Sequence, residues 1–128
     1  MLNKKWQQAL KNAGKILLVE NSNGRIRATV SEVNNIRCVA SNESEMNKAL
    51  RLGYGFDTIM LDYNLTRIWK PWGRQNSLRA LKSGSSLNGV KRVIIHSWNP
   101  WGARRLAKYI RANYLDIEVI VLRHWRVM

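Results

Sequence analysis

Five short apolar runs, all rich in β-branched residues, limit the fold more than any other feature of the chain. They are KILLVE (15–20), IRCVA (36–40), DTIML (57–61), RVIIH (92–96) and IEVIVL (117–122). Runs this short and this uniformly apolar read as strands covered on both faces, the condition of a parallel sheet. The segments between them carry helical spacing. Ile26, Val30 and Val33 fall at i, i+4 and i+7. Met46, Ala49 and Leu50 follow SNESE, in which Asn42 and Glu45 have the form of a capping box and after which Gly53 is a natural stop. Leu78 and Leu81 mark a short helix, and Ala103, Leu106, Ala107 and Ile110 form the stripe of a longer one. Trp6 and Leu10, one turn apart, place a further helix before the first strand, ending near Gly14.

Strand alternating with helix in this way predicts an α/β domain: a flavodoxin-like, doubly wound five-stranded parallel sheet of order 2-1-3-4-5. The expected division is an extra N-terminal helix over 1–14 and a single domain over 15–128. At 128 residues there is room for one core. No apolar run approaches the roughly 18 residues that span a bilayer, and the N-terminus lacks the apolar stretch of a secretory signal. One cysteine, Cys38, sits in an expected strand as a small hydrophobe, which suits a reducing, cytoplasmic setting. With one Cys and two His, a structural zinc site is excluded.

Charge narrows the partners. Twenty-two Lys and Arg against eight Asp and Glu give +14, which favours association with polyanions and disfavours indifference to them. Beside the arginines stands a local echo, WKPWG (69–73) and WNPWG (98–102), holding both prolines and four of the six tryptophans. One copy follows the third strand and the other the fourth, so both fall at the carboxyl edge of the sheet, where open α/β folds bind ligands. Trp69, Trp72, Trp98 and Trp101 are therefore candidate stacking surfaces for bases, with Arg67, Lys70, Arg74, Lys108 and Arg111 as candidate backbone contacts.

The same edge collects the polar strand ends. Glu20 and Asp62 end neighbouring strands, close enough to share a hard cation such as Mg²⁺. After the fourth strand, Asn99 is a strong N-cap and Pro100 suits the first helical position, so NPWGARRL reads as a helix start and an anion site. His96, Ser97, Asn99, Gly102, Arg104 and Arg105 are its candidate phosphate ligands. The two arginines oppose the helix dipole unless something negative is bound there.

These residues carry a resemblance. The acidic end of the first strand, IMLDYNL at the third, and VIIHSWNPWGARRLAKYI at the fourth resemble the cyclic-phosphate-processing receiver family, a divergent relative of two-component receiver domains. The likeness covers roughly 15 to 122, and His96, Ser97, Asn99, Pro100 and Gly102 match the family's His-Ser-x-Asn-Pro-x-Gly in full. It implies a receiver-like fold and handling of a 2′,3′-cyclic phosphate. His96 would serve as general acid or base, with Asp62 orienting water or a metal and Ser97 beside them. The chain departs from the pattern at Glu20-Asn21, at Leu61-Asp62-Tyr63-Asn64-Leu65 and at Arg123, where a receiver has lysine. Phosphorelay through Asp62 does not follow from it. Two readings of function are expected: a binder of phosphate groups in RNA, DNA or a nucleotide, and a non-catalytic interaction or inhibitor protein of phage or mobile-element type, directed at an acidic protein or ribonucleoprotein.

Overall fold

The computed structural model describes residues 2–65, 75–84, 86–97 and 99–123. All five expected strands form: β1 Ile16–Val19, β2 Ile36–Ala40, β3 Thr58–Leu61, β4 Arg92–Ile95 and β5 Glu118–Val121. They pair in parallel in the order β2-β1-β3-β4-β5, the flavodoxin-like arrangement. The three central strands are buried almost throughout, whereas β2 and β5, at the edges, are half-covered.

The helices are α1 Lys4–Ala9, α2 Asn23–Glu32, α3 Glu43–Arg51, α4 Ser77–Lys82 and α5 Pro100–Asn113. Each starts at an Asn or Ser (Asn3, Ser22, Asn42, Asn76, Asn99) whose side chain accepts the amide three residues on. Such a cap contributes about 1 kcal/mol. Glu45 reaches back one residue beyond the cap it was expected to complete, accepting from the Ser41 amide at 2.7 Å. Two bonds join the starts of α3 and α4: Glu43 donates its amide to Gln75 Oε1 at 3.1 Å and accepts the Asn76 amide at 2.9 Å.

Period-2 alternation along the strands builds two apolar layers. Leu17, Val19, Ile59, Leu61, Val93 and Ile95 face α3, α4 and α5 through Met46, Ala49, Leu78, Leu81, Leu106 and Ile110. Ile16, Leu18, Met60 and Ile94 face the other way, toward Trp6, Ala9, Ala13 and Val33. The crossover helices α3, α4 and α5 all lie on the first face, so among the described residues only α2 comes to the second from a crossover. The N-terminal helix supplies the missing cover. Trp6 is fully buried, its indole N–H donates to the Arg123 carbonyl, and Arg92 holds the Ala9 and Lys11 carbonyls at 2.9 and 2.7 Å.

Two sequence expectations change in detail. The helix before β1 ends at Ala9, and the chain reaches β1 through a turn with positive φ at Asn12 and Gly14. A Cβ on Gly14 would run into the Asp57 side chain, which accepts the Lys15 amide at 3.0 Å. In α2, Val30 is 50% exposed and Thr29 is buried in its place. Thr29 fits there because its hydroxyl bonds back to the Arg25 carbonyl at 2.6 Å.

Candidate functional site

Register assembles the strand ends. Val19 lies opposite Leu61, and Leu61 opposite Ile95, so the next residues form a row at the carboxyl edge. Backbone bonds continue through that row: Glu20 N to Ala40 O, Asp62 N to Val19 O and His96 N to Leu61 O, each at 3.0 Å. Alternation turns all three side chains to the α1/α2 face. All three are buried.

A fourth group completes the cluster. The chain leaves β1, is capped at Ser22 and enters α2, whose third residue is Arg25. Arg25 donates through Nε to Glu20 Oε1 at 2.8 Å and through Nη2 to Glu20 Oε2 at 3.0 Å. The same Nη2 lies 3.5 Å from Asp62 Oδ2. The Ser22 amide donates to Glu20 Oε2 at 3.1 Å. His96 Nδ1 is 3.6 Å from Glu20 Oε1, and the His96 ring lies 6.1 Å from that of Trp6.

This geometry sorts the protonation states. Burial pushes the Glu20 carboxyl upward, but the Arg25 hydrogen bonds and the charges of His96 and Arg25 outweigh it and hold it below its ordinary value. Asp62 goes the other way, to about 8, through burial and the neighbouring Glu20 charge. Burial holds His96 below its usual range despite Glu20. Burial alone would lower Arg25, yet its contacts with Glu20 raise it. At neutral pH the cluster is one ion pair, Glu20 with Arg25, beside a protonated Asp62 and a neutral imidazole.

A pH prediction follows. Asp62, with its folded value raised above 3.8, keeps a proton that the unfolded chain has lost, so its contribution to stability falls as pH rises toward about 8. The depressed Glu20 and His96 act the opposite way, losing stability as pH drops through the acid range and below about 6.5. Between roughly pH 6.5 and 8 the Asp62 effect should dominate, with a slope of at most about 1.4 kcal/mol per pH unit. Asp62→Asn should flatten that slope and be the more stable form at pH 9. Urea unfolding of both proteins at pH 6.5 and 9 checks this, and parallel pH profiles would rule it out.

A divalent cation does not fit the pocket as built. The guanidinium lies against both carboxylates where such an ion would have to sit, and the described residues contain no cluster of three or more metal-ligating side chains of suitable geometry. Glu20 and Asp62 do come together as expected, with Arg25 as the cation between them.

The exit from β4 divides in two. His96 faces Glu20 and Trp6, whereas Ser97 and Asn99 carry the chain on to α5, which packs on the opposite side of the sheet. Ser97 accepts the Asn99 amide at 3.1 Å and its hydroxyl bonds to Asp62. Asn99 Oδ1 accepts the Gly102 amide at 3.0 Å, and the Asn99 carbonyl accepts the Ala103 amide at 2.9 Å. One first-turn donor expected to face an anion, the Gly102 amide, is thus used by the cap itself. Gly102 is required for packing, since a Cβ there would enter the Tyr63 ring.

Further along, α5 presents the other expected residues. Ala103, Leu106, Ala107 and Ile110 are buried, and Arg104, Arg105, Lys108 and Arg111 lie on the exposed side. Trp101 is 73% exposed, with the Arg104 guanidinium 5.7 Å from its ring centre. Trp69, Trp72, Trp98, Arg67, Lys70 and Arg74 lie outside the described residues. No helix among the described residues is long and apolar enough to cross a membrane.

Residue-type reasoning missed Arg25 and Trp6. A sequence signal for Arg25 existed: a cation at the third position of the helix after β1, five residues beyond a carboxylate at a strand end. Trp6 gave only an amphipathic spacing, with nothing to show that it would roof the row of strand ends. No family model, no curated protein and no solved structure matches the chain.

Proposed function

We propose that this domain binds single-stranded nucleic acid without cleaving it, through the outer face of α5. The observation that carries this reading is Trp101, an indole 73% exposed on a helix bearing Arg104, Arg105, Lys108 and Arg111 and no acidic residue. Burying that ring in the core would have stabilised the fold, so its exposure favours a partner with aromatic faces. Four cations on the solvent side supply the field for a phosphate backbone, and the whole-chain charge of +14 has the same sign. The reading leaves cyclic-phosphate opening aside because the groups it would use are engaged elsewhere. His96 is only 2% exposed, and Asp62 lies beside the Arg25 guanidinium.

Fluorescence anisotropy with labelled 12-nucleotide RNA and DNA strands tests this. Trp101→Ala should weaken binding by about 1–3 kcal/mol, roughly 5- to 150-fold, with little change in melting temperature or salt slope. Arg104→Ala with Arg105→Ala should lower the salt slope by about 0.7 for each phosphate that is no longer neutralised. Binding that survives both sets of changes would remove α5 as the interface. Displacement of the strand by polyglutamate with equal affinity would favour an acidic protein partner.

A further inference from the structure

We propose that Arg25 is the resident cation of the strand-end pocket, taking the position a divalent metal would otherwise hold and making the domain independent of metal. Four observations support it. The two carboxylates belong to adjacent strands and are held by backbone bonds into one row, so their proximity is imposed by the sheet. The guanidinium meets Glu20 through two nitrogens at 2.8 and 3.0 Å and approaches Asp62 at 3.5 Å, bridging the pair as a bound ion would. The Arg25 side chain is only 13% exposed, and the Glu20 and Asp62 side chains 0% and 3%. Local structure fixes the cation in place: Ser22 caps the Arg25 amide at 3.4 Å and Thr29 bonds to its carbonyl.

The physical reason is the cost of leaving carboxylates buried without a counter-charge. A sheet that brings Glu20 and Asp62 to neighbouring positions needs a positive group there in every folded molecule. A metal site meets that need only when loaded, so its stability varies with metal concentration. An arginine on the first turn of the following helix meets it permanently, and its planar fork matches a carboxylate edge.

The test is thermal unfolding of the full chain with and without 10 mM MgCl₂, against KCl of equal ionic strength. Wild type should show no specific Mg²⁺ shift. Arg25→Ala should melt lower than wild type and recover about 4 °C or more with either Mg²⁺ or 10 mM methylguanidinium, but not with KCl, as linkage to a refilled site requires. A Mg²⁺-specific rise in wild type, or an Arg25→Ala protein that responds to neither cation, would overturn the proposal. Should Arg25→Ala be unfolded in buffer, Arg25→Met combined with Glu20→Gln replaces the ion pair with neutral groups of similar size. That protein should fold and ignore Mg²⁺. Its failure to fold, or a Mg²⁺ response from it, would show that Arg25 does something other than neutralise the carboxylates.

Discussion

Glu20→Gln combined with Asp62→Asn should destabilise the protein at pH 7 by about 3–5 kcal/mol, far more than the two single changes together. The reasoning starts from Arg25, which lies against both carboxylates with only 13% of its side chain exposed. In wild type, Glu20 carries the balancing charge and Asp62 holds its proton up to about 8. Asp62→Asn substitutes an amide for a group already neutral in the fold, and because only the unfolded wild type ionises there, the change should be neutral or stabilising at pH 7. Glu20→Gln removes the charge that kept Asp62 protonated. Asp62 then ionises and pairs with the guanidinium, so the cost should be limited to about 1–2 kcal/mol, in the range of a charged hydrogen bond. Only the double change leaves Arg25 buried with no anion. A double-mutant cycle by urea unfolding measures this directly. Additive losses would mean that the two carboxylates do not substitute for one another.

Trp6→Ala is the second large effect, expected at about 3–5 kcal/mol, the usual cost of truncating a buried large aromatic side chain. Trp6 is fully buried against Ile16, Leu18, Met60 and Ile94 and joins α1 to the segment after β5 through its indole N–H. Its loss would both open a cavity and loosen the helix that covers the second face of β3 and β4. Trp6→Phe keeps much of the apolar volume and loses the hydrogen bond, so it should cost nearer 1–2 kcal/mol. Because Trp6 also lies beside His96, the alanine change should admit water to the ion cluster and raise the His96 pKa toward its ordinary value, visible by NMR titration. A small stability loss with no change at His96 would mean that α1 is peripheral to the fold.

Most of the architecture was written in local pattern. The five apolar runs fall within a residue or so of the observed strands, because buried parallel strands must be apolar at every position and helices between them only on one stripe. The α5 stripe and the Asn99 cap were readable for the same reason, since both depend on residues within one or two turns. Pattern also located Glu20, Asp62 and His96 at strand ends, and parallel pairing in the observed order was enough to bring them side by side. Three things were decided only by tertiary structure. Which face each strand-end side chain takes depends on register and alternation counted from the core, and this turned His96 toward Glu20 and Trp6. Whether Glu20 and Asp62 hold a metal depended on where the first turn of α2 points its third residue, and there Arg25 fills the place. The need for a helix before β1 comes from the placement of three crossover helices on one face. The other face then needs cover that no neighbouring segment in the sequence supplies, and Trp6 is anchored there against residues as distant along the chain as Arg123.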